Sequence, residues 1–145
     1  MTTSPNTESS IVETNESIVR QLVDGFNRND PSVIDELVAE DCVLHGAPPG
    51  PAREVWKTSF AQTHQTFNPM HTEITHLVAE GNHVTVYETT TATQSGPLLG
   101  FEPTGKNATA TTMMMVEITD GQIVARWSVL DLLPALVQLG HLNPT

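Results

Sequence analysis

Residues 107–131 read NATATTMMMVEITDGQIVARWSVLD. Two stretches rich in Thr, Val, Ile and Met flank Asp120-Gly121, and this pattern predicts a β-hairpin with a two-residue turn. In such a hairpin Thr119 and Gln122, the residues on either side of the turn, form the first pair. The segment therefore predicts two antiparallel strands and the register between them.

Counting outward from that pair assigns each residue of the hairpin to one of two faces. Asp131 is then expected opposite Ala110, at the end of the second strand. The face that carries Asp131 is otherwise apolar, apart from Thr112, and is the predicted inner face. Its other members are Met114, Val116, Ile118, Ile123, Ala125, Trp127 and Val129.

The opposite face of the hairpin is too apolar for a fully hydrated surface. It combines Met, Leu and Val with one expected ion pair, between Glu117 and Arg126. We therefore expect this face to pack against a second copy, which gives a homodimer through the backs of the sheets. An ordinary half-polar outer face is the alternative. The face comprises Thr111, Met113, Met115, Glu117, Val124, Arg126, Ser128 and Leu130.

Hydrophobic periodicity predicts the remaining elements. The predicted helices cover residues 15–28, 31–39, 52–66 and 132–139, and the predicted strands cover residues 42–45, 70–80, 83–93, 107–119 and 122–130. This order is typical of an α+β fold, in which the first three helices cover one face of a curved antiparallel sheet and leave a pocket between them. Residues 1–10 are expected to be a flexible leader, and residues 11–145 a single domain.

Composition and charge argue against several classes of protein. The formal net charge is −11 and the chain has six Lys and Arg residues, too few for a nucleic-acid-binding surface. No apolar run reaches the roughly 18 residues of a membrane span, and residues 1–10 are not expected to be a secretory signal. The single cysteine, Cys42, is interpreted as a core residue, and a cytoplasmic location is expected. The histidines show no metal-ligand spacing, so no metal site is expected.

Asp131 and Glu88 are the candidate catalytic carboxylates. Burial in an apolar pocket raises the pKa of a carboxyl group, which lets one residue take a proton and return it. Asp131 directly precedes the last helix, so a structural role as its N-cap is the alternative. Glu88 faces the pocket if Val84 and Val86 of its strand point inward, and a solvent-facing position is its alternative.

His45 lies at the end of the first predicted strand and is the third catalytic candidate. It is expected to orient or protonate a substrate oxygen, or else to be a structural histidine. The predicted wall of the pocket is apolar and aromatic, which favours an apolar small molecule as the ligand. Its candidate substrate-binding residues are Trp56, Phe60, Thr112, Met114, Trp127 and Val129.

Five short segments, in this order and spacing, resemble the SnoaL-like polyketide cyclase family, also known as ester cyclases. The resemblance covers the chain from the first helix to Gly140, and its most specific part is the last block. The segments are Glu80-Gly81-Asn82-His83-Val84, Pro103-Thr104-Gly105-Lys106, Asp120-Gly121-Gln122-Ile123, Trp127-x-x-x-Asp131 and Gln138-Leu139-Gly140.

The resemblance implies a nuclear-transport-factor-2-like (NTF2-like) cone that is usually dimeric and acts on polyketides without a cofactor. In the name-giving cyclases an intramolecular aldol reaction closes a ring, and an acidic residue at the end of the last strand is the general base and acid. Asp131 matches that position. Glu88 is a departure, because many members of the family have an aromatic or apolar residue there.

The expected function is therefore acid/base ring closure of an apolar polyketide or related metabolite. The same fold also carries ketosteroid isomerase, scytalone dehydratase and limonene epoxide hydrolase, so the fold defines the pocket better than the reaction. Isomerase, dehydratase or epoxide hydrolase chemistry is the alternative among enzymes. Binding of an apolar metabolite without catalysis is the alternative from another class of protein.

Overall fold

The computed structural model describes residues 5–143, which form four helices and five strands. In chain order these are α1 (Pro5–Asn27), α2 (Ser32–Leu37), β1 (Val38–Leu44), α3 (Ala52–Thr66), β2 (Phe67–Glu80), β3 (His83–Gln94), β4 (Asn107–Thr119), β5 (Gln122–Asp131) and α4 (Leu133–Gln138). All five strands belong to one sheet in the order β1-β5-β4-β3-β2. The predicted α+β fold is confirmed.

The sheet is an antiparallel meander of β2 to β5, to which β1 is added in parallel beside β5. Helices α1, α2 and α3 pack on one face, which is the inner face of the sheet. Apolar residues that alternate along the strands fill the layer between helices and sheet, because side chains two apart share a face. The most deeply buried of them are Val84, Val86, Val116, Ile118 and Ile123.

The starts of α1 and β1 differ most from the predicted ones. Helix α1 begins at Pro5, so residues 5–10 of the expected flexible leader are helical, while residues 1–4 lie outside the described residues. Strand β1 begins at Val38 rather than at Cys42, because pairing with β5 extends it beyond the apolar run that signalled it. No helix within residues 5–143 is long and apolar enough to cross a membrane.

The turn of the last hairpin is the predicted one. Asp120 and Gly121 both have positive φ, 50° and 77°, as a type I′ turn requires, and Thr119 pairs with Gln122. Beyond the turn, however, β5 has one extra residue between the pairs Ile118–Ile123 and Glu117–Ala125. The register shifts at Val124, which has no partner of its own, and this is a β-bulge.

The bulge exchanges the two faces of β5 for the rest of the strand. Asp131 pairs with Thr111 instead of Ala110, so the predicted register is wrong from the bulge onward. A shift of one residue moves every later side chain to the other face. Arg126, Ser128 and Leu130 consequently lie on the inner face, and Trp127, Val129 and Asp131 on the outer face.

The C-terminal helix is held to the sheet by its last residue, Gln138, and by Leu139, which follows it. The side-chain amide of Gln138 donates to the Thr109 carbonyl (3.2 Å) and accepts from the Thr109 backbone N–H (2.7 Å). Leu139 is fully buried, and its carbonyl accepts a hydrogen bond from the Thr104 hydroxyl (2.6 Å). The Gln-Leu-Gly motif therefore holds α4 against β4.

Candidate active site

A cavity of about 270 Å³ lies between the inner face of the sheet and helices α1 and α3. Its size is near the lower end of the range for small-molecule sites. Most of its wall is apolar, with a few hydroxyl groups and two charged side chains. The lining residues that carry the argument below are Trp56, Phe60, Thr90, Glu88, Thr112, Met114 and Arg126.

Glu88 is the one carboxylic acid among the described residues that line this cavity. It lies on β3 between Ile74 of β2 and Thr112 of β4, on the same face as the buried Val86. Burial raises the pKa of its carboxyl group to about 7, and no neighbouring charge contributes to that shift. The group is thus divided between acid and carboxylate near neutral pH.

Hydroxyl groups surround Glu88 on the sheet side of the cavity. Thr90 and Thr112 lie in the wall, and the hydroxyls of Thr72 and Thr90 are hydrogen-bonded at 2.7 Å. Thr72 is held by Asn27 of α1, whose amide bonds both its backbone N–H and its carbonyl, each at 2.8 Å. This pair of bonds attaches the helix layer to the sheet beside Glu88.

Arg126 is the second charged residue of the cavity. Its guanidinium lies over the Trp56 ring, 4.7 Å from the centroid, a cation–π contact worth roughly 0.5–2 kcal/mol. Burial lowers the pKa of Arg126, and its Nε atom has no hydrogen-bond partner in the described part of the chain. The expected pair with Glu117 does not form; the Glu117 carboxylate lies 4.0 Å from Nε2 of His83 instead.

Asp131, expected to be the principal catalytic carboxylate, is not part of the cavity wall. It is exposed on the outer face, because the bulge in β5 turned it away from the helices. It does not cap α4 either. The N-cap position is Leu132, and no side chain caps that helix.

Three other side chains that the sequence suggested for the site also lie outside the cavity. They are those of His45, Trp127 and Val129. The His45 ring stacks on Trp127 with centroids 4.5 Å apart and planes 6° from parallel. The His45 backbone N–H donates to the Arg126 carbonyl at 2.9 Å. Val129 is 72% exposed on the outer face. None of these three side chains is placed to contact a ligand beside Glu88.

The structure does bring Glu88 together with four of the expected substrate-binding residues, Trp56, Phe60, Thr112 and Met114. Sequence reasoning missed Arg126, Ser128 and Leu130, which the bulge turned inward, and also Thr72 and Thr90. The threonines were detectable as neighbours of Glu88 on the inner face. Within residues 5–143, no three His, Cys, Asp or Glu side chains are grouped as metal ligands.

An unclosed, curved sheet covered by helices, with a cavity between sheet and helices, is the architecture of the NTF2-like class. The model of the SnoaL-like polyketide cyclase family matches residues 16–139. The chain therefore belongs to the SnoaL-like polyketide cyclase family. No curated protein sequence matches the chain.

Solved structures share this fold. TsrD from Streptomyces laurentii superposes with a TM-score of 0.82 at 22% identity, over 90% of this chain and 97% of TsrD. AclR from Streptomyces galilaeus, a candidate hydroxylase, gives 0.81 at 26% identity, over 92% and 85% of the two chains. IdmH from Streptomyces antibioticus, a candidate polyketide cyclase, gives 0.78 at 29% identity, over 87% and 98%.

Proposed function

We propose that the chain is a polyketide cyclase-like enzyme that closes a ring in an apolar substrate without a cofactor, with Glu88 as the acid/base group. The observation that carries the proposal is a largely buried carboxyl group, with its pKa raised to about 7, in the wall of an otherwise mostly apolar cavity. A general base is most effective when its pKa is near the working pH. Glu88 meets this condition.

The reaction needs two proton transfers through one group. The Glu88 carboxylate removes a proton from a carbon next to a carbonyl group, and the electron pair forms an enolate. The enolate carbon then attacks a second carbonyl carbon of the same molecule, so that a C–C bond forms and the attacked oxygen becomes an alkoxide. The protonated Glu88 returns its proton to that alkoxide, which regenerates the carboxylate.

Two features of the wall support this chemistry. Trp56, Phe60 and Met114 exclude water and offer contact surface to a folded apolar chain. The hydroxyls of Thr90 and Thr112 lie on the same face as Glu88 and can donate hydrogen bonds to the enolate oxygen. The same proton transfer would serve an isomerase or a dehydratase, so the base alone does not distinguish ring closure from these reactions.

The proton-transfer step can be tested apart from ring closure. In D₂O, the wild-type chain is expected to exchange the α-hydrogens of 1-tetralone, a two-ring ketone, as measured by NMR. Glu88→Gln is expected to lower this rate by about 100-fold or more, because the amide cannot accept the proton. The pH–rate profile of the wild type should rise with a pKa near that of Glu88, about 7.

Two variants complete the test of the base. Glu73→Gln changes an exposed carboxylate on the outer side of β2 and should leave the exchange rate unchanged. Asp131→Asn tests the carboxylate that the family resemblance favours. Undiminished exchange in Glu88→Gln, with loss in Asp131→Asn, would show that the base is Asp131 and would overturn the assignment of Glu88.

Ring closure itself can be followed with 1-phenylheptane-2,6-dione, whose intramolecular aldol reaction gives a six-membered ring. Mass spectrometry and NMR of the product separate the cyclase from its alternatives. Exchange without cyclisation of this diketone would favour an isomerase or dehydratase. Binding of both ketones without exchange would favour a non-catalytic binding protein.

A further inference from the structure

The charge on Arg126 is unbalanced inside the cavity. Its Nε atom is buried without a hydrogen-bond partner, and no carboxylate among the described side chains, those of residues 9–143, lies within ion-pair distance of its guanidinium. The contact with Trp56 lies against one face of the guanidinium and does not neutralise the charge. The guanidinium edge therefore has donors with no acceptor from the protein.

Cys42 is the only titratable neighbour in the described residues that influences Arg126. Burial raises the pKa of the Cys42 thiol, so near neutral pH it is uncharged and cannot serve as the counter-ion. A desolvated guanidinium without a counter-ion is unfavourable for folding. Groups of this kind are concentrated at functional sites, where a ligand supplies the missing partner.

Arg126 lies at one end of the cavity wall, whereas Glu88 lies near its middle. Glu88 pairs with Thr112 and Arg126 pairs with Val116, so the two pairs are four residues, or about 13 Å, apart along β4. Met114 lines the wall between them. A ligand that reaches both groups must be elongated, with a polar end at Arg126.

We propose that Arg126 binds an oxyanion of the ligand, so that the substrate class is an apolar, ring-containing molecule with a carboxylate or another acidic oxygen at one end. The planar guanidinium donates two parallel hydrogen bonds to such a group. The chain as a whole carries a formal charge of −11, which repels anions. Arg126 is the one Lys or Arg among the described lining residues, so it selects anionic ligands against that general repulsion.

The position of the acidic oxygen relative to the reacting carbon rests on the proposed function, but the binding of an anion by Arg126 does not. If Glu88 is the base, the oxyanion lies toward the Arg126 end of the cavity, away from the carbon that loses its proton. Arg126 is then a specificity-determining residue. It aligns the substrate along the cavity and leaves the proton transfer to Glu88.

The test compares two probes of nearly equal shape, 2-naphthoate and 2-naphthamide, by isothermal titration calorimetry at pH 7. The wild type is expected to bind the carboxylate about tenfold or more tightly than the amide, because the ionised acceptor gives charge-assisted hydrogen bonds. Arg126→Gln should abolish this preference while the amide still binds. Arg126→Lys should retain part of it, since the charge remains but the two parallel bonds are lost.

Ser128→Asp provides a second variant in case Arg126→Gln does not fold. It places a carboxylate on the same face of β5, two residues from Arg126, and should also abolish the preference. Arg53→Gln is the matched control. Arg53 lies outside the cavity, where its Nε donates to the Val38 carbonyl at 2.8 Å, and the variant should keep the full preference.

The result of this binding test does not depend on whether Glu88 is the catalytic base. Glu88→Gln should retain the preference for 2-naphthoate even though it loses exchange of 1-tetralone. If Arg126→Gln or Ser128→Asp keeps the wild-type preference, or if the wild type binds both naphthalenes equally, Arg126 is not the anion site. Either result would overturn this inference and leave the role of Glu88 unaffected.

Discussion

At the scale of single residues, the ionisation of Glu88 links the proposed activity to stability. An isolated glutamate releases its proton near pH 4.5, whereas burial raises the pKa of Glu88 to about 7 in the folded chain. Between these values the folded state binds more protons than the unfolded state. Its stability therefore falls as the pH rises from about 4.5 to 7 and stays lower above that range. The shift corresponds to about 3 kcal/mol, as an upper bound.

Glu88→Gln removes this ionisation and should stabilise the chain at high pH. We expect the variant to gain about 1–3 kcal/mol over the wild type at pH 8 and little at pH 4.5, where Glu88 is protonated in both states. Urea unfolding at the two pH values measures the difference. Glu73→Gln, on the exposed side of β2, should show no such dependence. An equal effect of Glu88→Gln at both pH values would contradict the raised pKa.

At the scale of elements, the bulge at Val124 determines the composition of the site. Without it Trp127, Val129 and Asp131 would face the helices; with it Arg126, Ser128 and Leu130 do. Parallel pairing of β1 with β5 adds a constraint on the same segment, since Leu44 pairs with Arg126 and the His45 N–H bonds the Arg126 carbonyl. Bulges of this kind commonly re-aim side chains beside active sites.

The hydrogen bonds that hold α4 to β4 can also be tested by mutation. Gln138→Ala removes two hydrogen bonds to the backbone of Thr109 and should lower the free energy of unfolding by about 1–2 kcal/mol. Gln65→Ala, an exposed glutamine of α3, is the control and should cost nothing. Chemical denaturation measures both. If the two variants are equally stable, Gln138 does not hold α4 to β4.

At the scale of the whole molecule, the outer face of the sheet is unusually apolar. We propose that it packs against a second copy of the chain, because exposed apolar patches of this kind are characteristic of interfaces. On β4 its members are those expected from the sequence, but on β5 they are Trp127, Val129 and Asp131. The large apolar side chains that are exposed on this face are Val43 (52%), Val78 (68%), Tyr87 (37%), Met113 (51%) and Val129 (72%).

Charges at the centre of this face should separate the two copies. The double variant Met113→Lys, Val129→Lys is expected to be monomeric by light scattering under conditions in which the wild type is dimeric, since two buried pairs of like charges oppose association. Leu99→Lys changes an exposed apolar residue in a loop and should not affect the mass. A monomeric wild type would refute the proposed dimer.

The family-specific motifs were sufficient to predict the fold, but they did not predict which residues of β5 line the cavity. Asp120-Gly121 fixes a hairpin turn through local backbone preference, and Gln138-Leu139-Gly140 encodes a local attachment, so both are readable from a few neighbouring residues. The inward placement of Glu88 followed from alternation along β3, which has no bulge. The expected placement of Asp131 failed because one unpaired residue seven positions earlier changed its face.

By itself, therefore, the sequence determined the order of helices and strands, the hairpin turn, the family and the carboxylate of β3. These depend on periodicity and turn chemistry, which act over a few residues. Only the tertiary structure decided which residues of β5 face the helices, and so placed Arg126 in the cavity and Asp131 outside it. A bulge forms where pairing with two neighbouring strands requires it, and such long-range pairing leaves no periodic signal in the chain.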